Sequence, residues 1–188
     1  MHTPFKSSLF RTTLLTLLAA APLFSACKND DDDPTPDEDN EQITTVTYTL
    51  TPAGGGTPVV VTYKDADGDG GAAPTIGALT LAANTSYTGA LTLLDETKSP
   101  AQNIGAEILK EADEHIFFFE PTPANLVTVT RTDKDSKSLE LGLQTRLVTT
   151  TAATGTLKIT LRHQPGTKNG TFAPGDTDVE VIFPTTVR

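Results

Sequence analysis

Strict alternation is the feature that most limits the folds open to this chain. In the stretch 42–51, Val46, Tyr48 and Leu50 fall on one side of a period of two, and Thr45, Thr47 and Thr49 on the other. A strand with one face in a core and the other in water has this pattern. Threonine is interleaved with valine and leucine along much of the chain, and β-branched side chains suit a pleated, half-buried surface. Ala53-Gly54-Gly55-Gly56 reads as a turn, and 58–63 returns as a second strand. Leu79 with Leu81, then Tyr87, Leu91 and Leu93, mark two more strands around a turn at Asn84. Further strands are expected at 115–119, 126–131, 141–150, 156–163 and 179–183, with turn signals at Asn169-Gly170 and Pro174-Gly175. The run His115-Ile116-Phe117-Phe118-Phe119 is apolar on both faces, which predicts the most buried strand. One segment departs from the alternation. Ile104, Ile108, Leu109 and Ala112 recur at helical spacing, with Ser99 and Pro100 as N-cap and first helical residue and an end near Glu114. The expected fold is all-β: a single antiparallel β-sandwich, immunoglobulin-like or jelly-roll-like, of about nine strands with one short helix insert.

The N-terminal 41 residues follow other rules. Lys6 and Arg11 make a positive region, 13–21 an apolar core, and Ser25 and Ala26 the small residues that a signal peptidase needs. The apolar core falls well short of the ~20 residues that span a bilayer. Cys27, which follows at once, is the only cysteine, so an exported form of the chain has no internal disulfide to make. Phe24-Ser25-Ala26-Cys27 resembles a lipobox, with Phe24 where leucine is more usual. The resemblance implies cleavage before Cys27, a diacylglycerol on its thiol and acylation of the new amine by a chain such as palmitate. At ~0.8 kcal/mol per buried CH₂, two or three chains anchor firmly where one is marginal. Lys28-Asn29-Asp30-Asp31-Asp32-Asp33 resembles the lipoprotein export signal of Bacteroidetes, which implies routing to the outer face of the outer membrane. Read as charge alone, the same run is a solvated acidic linker, because like charges keep it extended. The expected organisation is a signal peptide at 1–26, a lipidated, acidic, disordered tether at 27–41 and the sandwich at 42–188. The expected location is the outer membrane, exposed at the cell surface, with a periplasm-facing anchor as the alternative.

The chain carries a net charge of −10, and loss of Lys6 and Arg11 with the signal peptide leaves it near −12. That balance disfavours nucleic acid and anionic lipid surfaces as partners and is compatible with cations. Tryptophan is absent and only three tyrosines are present, which argues against a carbohydrate-binding module built on aromatic platforms. Asp65-Ala66-Asp67-Gly68-Asp69-Gly70 resembles the first half of an EF-hand loop, where alternate carboxylates converge on one hard cation. The twelfth position is Ile76 rather than glutamate, and the flanks read as strands. Asp65, Asp67 and Asp69 are therefore candidate ligands for weakly held Ca²⁺, or else a polar turn.

After the signal peptide only His115 and His163 remain. His115 follows Glu107, Glu111, Asp113 and Glu114, and a helix one residue longer would put Glu111 and His115 on one face. His163 ends the strand of Leu157, Ile159 and Leu161, and parity points it towards the interior or the rim of the sandwich. If the two strands are neighbours, His115 and His163 with Glu111 and Glu114 make a donor set for Zn²⁺ or Cu²⁺. The alternative for each histidine is a plain hydrogen bond to a carboxylate or carbonyl at a strand end. There is no G-x-S-x-G and no GxxxxGK[ST], and no set of residues suggests assigned catalytic roles.

From the lipobox through the Asp loop, Glu111-Ala112-Asp113-Glu114-His115-Ile116-Phe117-Phe118 and Leu161-Arg162-His163-Gln164-Pro165, the pattern resembles a small surface lipoprotein type of Bacteroidetes. The resemblance implies location more than activity. The expected role is a non-enzymatic binding module that captures a divalent metal or small ligand beside a TonB-dependent outer-membrane receptor. The alternative is a structural or adhesive β-sandwich with no small-molecule ligand.

Overall fold

The computed structural model describes residues 41–68 and 71–188; the expected signal peptide, Cys27, the expected tether through residue 40, and Asp69 lie outside the described residues. The chain passes through β1 (Thr45–Pro52), β2 (Val59–Lys64), β3 (Thr75–Ile76), β4 (Leu79–Leu81), β5 (Ser86–Asp95), β6 (Gln102–Asn103), α1 (Ile104–Lys110), β7 (His115–Thr122), β8 (Val127–Arg131), β9 (Gln144–Thr149), β10 (Ala153–His163) and β11 (Asp176–Val187). Nine of these strands exceed two residues, and they match the nine expected from alternation one for one. The two-residue β3 and β6 add short pairings to β2 and β5.

Two sheets result. The larger runs β3-β2-β1-β5-β9-β8, with β6 also on β5; the smaller runs β4-β11-β10-β7. The protein is an all-β sandwich. One pair departs from the antiparallel expectation: β4 lies parallel to β11. The two are far apart in sequence, so no tight hairpin dictates their relative direction.

The inward faces are the ones that alternation marks. Val46, Tyr48 and Leu50 of β1 and Leu91 and Leu93 of β5 are buried, and Leu157, Ile159 and Leu161 of β10 with Val181 and Phe183 of β11 are buried in the facing sheet. Each large apolar side chain so removed from water contributes ~1.5–3 kcal/mol. Tyr48 of the larger sheet meets Phe119 of the smaller at 5.9 Å between ring centroids. Its hydroxyl bonds the Thr145 hydroxyl at 2.7 Å, and burial pushes the phenol up to about 12 against that hydrogen bond.

Two local expectations change. The apolar run in β7 belongs to an edge strand, not to the most buried one: His115, Ile116 and Phe117 are buried, but Phe118 and Phe119 only partly so. The outward Phe118 is covered by Phe172, at 5.2 Å between centroids, and by the Arg131 guanidinium at 5.1 Å. The open edge is closed by a following loop. The Phe117 N–H donates to the Leu141 carbonyl at 2.7 Å, and Arg131 donates to the Phe117 carbonyl at 2.9 Å. Residues on both faces are thus apolar because Phe172, from a later loop, and Arg131 of β8 cover the far side.

The helix is also shorter than its periodicity suggests. Asn103, not Ser99, is its N-cap, accepting from the Ala106 N–H at 3.1 Å. Gln102 and Asn103 are paired with β5, which keeps the chain extended up to that point. Ile104 and Ile108 are the buried residues of the helix. The helix stops at Lys110 with Glu111 as C-cap, and a turn in which the Glu114 N–H donates to the Glu111 carbonyl leads into β7. Glu111 and His115 therefore do not sit on successive turns of one helix. Among the described residues no helix is long and apolar enough to cross a membrane.

Candidate metal centre

β7 and β10 are neighbours, and their register sets His115 directly opposite His163. Side chains at opposed positions of an antiparallel pair share a face and lie close together. The two imidazoles stack, with centroids 4.6 Å apart and planes within 7°. His115 lies on the face that carries Phe117 into the core and is 1% exposed. Its Nδ1 lies 3.1 Å from the Glu111 carbonyl oxygen, an acceptor, so Nδ1 carries the proton and Nε2 the lone pair. A metal-binding histidine is usually oriented in this way by its other nitrogen. Burial holds His115 below the ordinary imidazole value, reinforced by His163 and Lys168 and opposed by the Glu111 carbonyl and Glu114.

Nε2 of His115 is buried without a hydrogen-bond partner. It faces Asp178, whose Oδ2 is 3.7 Å away and whose side chain is fully buried. Neither oxygen of Asp178 has a hydrogen bond. Strand parity alone would turn Asp178 outward with Glu180 and Ile182, since Val181 and Phe183 point in. A β-bulge changes that. Leu161 pairs with Val179 and Arg162 with Thr177, which leaves Asp178 as the extra residue. Bulges re-aim a side chain, and this one delivers a carboxylate to the histidines. Gly175, at φ +83°, helps to set the start of β11, because a Cβ there would run into the His163 carbonyl.

Glu41 and Glu111 make a second group around His115, one that does not include Asp178. Ligand atoms of Glu41, Glu111 and His115 all lie within 4.8 Å of one another, and Glu41 Oε2 is a further buried atom with no hydrogen bond. Burial pushes Glu41 up to about 7, aided by the negative charges of Asp178, Glu111 and Glu107. Burial likewise lifts Asp178 to about 6, although His163 and Arg162 pull it down. Ligands ~2.1 Å from a tetrahedral Zn²⁺ stand ~3.4 Å from each other, close to the His115–Asp178 separation. His115 thus has a carboxylate partner in Asp178 and two more in the Glu41–Glu111 group, and four of the atoms of His115, Asp178 and Glu41 are buried without a hydrogen bond, the kind of donor set a divalent cation would satisfy.

Of the four residues marked in sequence, His115 and Glu111 belong to this group. His163 stacks against it and pairs with Glu114, Nε2 to Oε2 3.8 Å. Glu111 and Glu114 also line an open cavity of about 530 Å³ with Lys110, Asp113, Lys134 and Asp135, while His115 and Asp178 are not among its walls. Asp178 and Glu41 were not singled out in sequence. The histidines could have prompted a search for carboxylates, but nothing local distinguishes these two from the chain's other acids. At the Asp loop, Asp67 is engaged in closing the turn, its Oδ2 accepting from the Ala72 N–H at 2.8 Å. Asp65 Oδ1 is buried without a hydrogen bond, and Asp65 Oδ2 accepts from the Tyr63 hydroxyl at 3.5 Å. No family model matches the chain, and no curated protein or solved structure matches it.

Proposed function

We propose that the protein is a non-enzymatic, membrane-anchored module that captures a divalent transition-metal ion, Zn²⁺ or Cu²⁺, between His115, Asp178, Glu41 and Glu111. The observation that carries this reading is the pair of facing, buried and unpartnered groups, His115 Nε2 and both oxygens of Asp178. Buried polar atoms are nearly always satisfied, so a converging group of orphans calls for a cation. His163 and Glu114 back the site, the first by stacking on His115. Capture rather than catalysis is favoured because His115 and Asp178 lie beneath the surface, out of a substrate's reach. In this reading Cys27 is acylated and holds the module at the outer membrane, facing the cell surface beside a transport receptor.

The full-length protein is expected to bind one equivalent of Zn²⁺ or Cu²⁺ in a calorimetric titration. His115→Ala and Asp178→Asn should each abolish that binding, while Asp65→Asn with Asp67→Asn should leave it unchanged. Cys27→Ser should move the protein from the membrane to the soluble fraction. Binding that survives both His115→Ala and Asp178→Asn would refute this site, and no binding at all would leave an adhesive or structural sandwich.

A further inference from the structure

Glu41 differs from the other three groups in how it is held. His115 belongs to β7 and Asp178 to β11, and Glu111 caps α1. Glu41 lies in neither strand nor helix, three residues ahead of Thr44, whose N–H makes the first backbone bond recorded along the described chain, to the Leu94 carbonyl at 3.0 Å. Its carboxylate is nevertheless drawn into the cluster, with Oε2 buried and bonded to nothing. Among the described residues, the charged groups that act on it most are carboxylates: Asp178, Glu111 and Glu107. Without a cation those charges oppose an ionised Glu41, and little backbone pairing ahead of Thr44 holds it. With a cation the sign reverses, because Glu41, Glu111 and His115, from separate segments and with ligand atoms within 4.8 Å of one another, share one positive centre.

We infer that the metal ion acts as a clasp, with Glu41 as the ligand that closes last and pins the start of the domain to the ends of β7, β11 and α1. The inference rests on the metal-binding reading above and extends it to regulation. Glu41 is separated from Cys27 by only the acidic stretch 28–40. Metal occupancy therefore fixes where the link to the anchor leaves the domain, and metal loss frees it. Local opening of this kind needs no global unfolding, since the residues concerned make few backbone hydrogen bonds.

The test is hydrogen exchange followed by mass spectrometry on the full-length protein, with chelator and with Zn²⁺. In the native sequence, Zn²⁺ should slow exchange of the amides at 41–44 by about tenfold or more. Glu41→Gln should still bind Zn²⁺ through the remaining ligands, more weakly than the native protein, and should show no slowing at 41–44 even when saturated. Glu41→Asp, which keeps a carboxylate, should recover part of the slowing. Equal Zn²⁺ affinity in native and Glu41→Gln proteins, with 41–44 unaffected by the metal, would overturn the clasp but leave the metal site standing. Absence of saturable Zn²⁺ binding in the native protein, or its persistence in His115→Ala, would overturn the metal site and the clasp with it.

Discussion

Asp178 carries a desolvation burden that His163 and Arg162 offset only in part. A carboxyl whose folded value is about 6, against an ordinary 3.8, is disfavoured in its ionised form. At neutral pH that disfavour amounts to about 3 kcal/mol, as an order of magnitude. An acid raised on folding stabilises the fold when protonated; the stabilisation is present below about pH 4 and is lost as pH rises through the folded value. Glu41, raised to about 7, acts in the same direction over a slightly higher window. His115 acts oppositely, since its lowered value makes the folded state gain stability as its imidazole deprotonates. Asp178→Asn isolates one of these contributions. In the presence of chelator the variant is expected to be more stable than the native protein at pH 7, by about 1–3 kcal/mol, and the advantage should vanish near pH 4. Urea unfolding at both pH values measures it. With saturating Zn²⁺ the order at pH 7 should invert, because an ion held only by the folded native protein adds stability as its concentration exceeds the dissociation constant.

At the scale of elements, alternation carried most of the fold. Threonines facing out and Val, Leu and Tyr facing in are enough to mark β1, β5, β10 and β11, and the parity of Leu157, Ile159 and Leu161 leads to His163 on the inward side. What alternation does not carry is pairing. The opposition of His115 and His163, 48 positions apart in the chain, is a matter of register between two strands that are distant in sequence, which no local pattern encodes. Asp178 is hidden for a sharper reason: a single-residue bulge reverses the face that a period of two assigns. Glu41 is hidden because it belongs to no periodic element. The loops around the site have their own fastening. Lys168 donates to Asp135 at 2.7 Å and to the Ala112 carbonyl at 2.8 Å, and both ionic side chains are fully buried. This ties the turn that carries Glu111 and Glu114 to two following loops. Lys168→Met is expected to cost about 3–5 kcal/mol in chemical denaturation, since it strands the Asp135 charge. It should also weaken metal binding by disturbing the Glu111 turn.

For the whole molecule, the net charge of −10, much of it in the acidic stretch ahead of the sandwich, repels anions and concentrates cations nearby. The two sheets supply rigidity, and the rim where β7, β10 and β11 end gathers histidines and carboxylates from segments that are distant in sequence. A rigid scaffold with its functional groups at one end is how sandwiches commonly present a site. The measurement that bears most directly on this account is anomalous X-ray diffraction at the zinc edge from crystals of the protein grown with Zn²⁺. The expected result is one strong peak ~2.1 Å from His115 Nε2 and from an oxygen of Asp178, with Glu41 and Glu111 turned towards it. Peaks confined to surface carboxylates or to the Asp65–Asp67 turn, with the space between His115 and Asp178 lacking any, would contradict it.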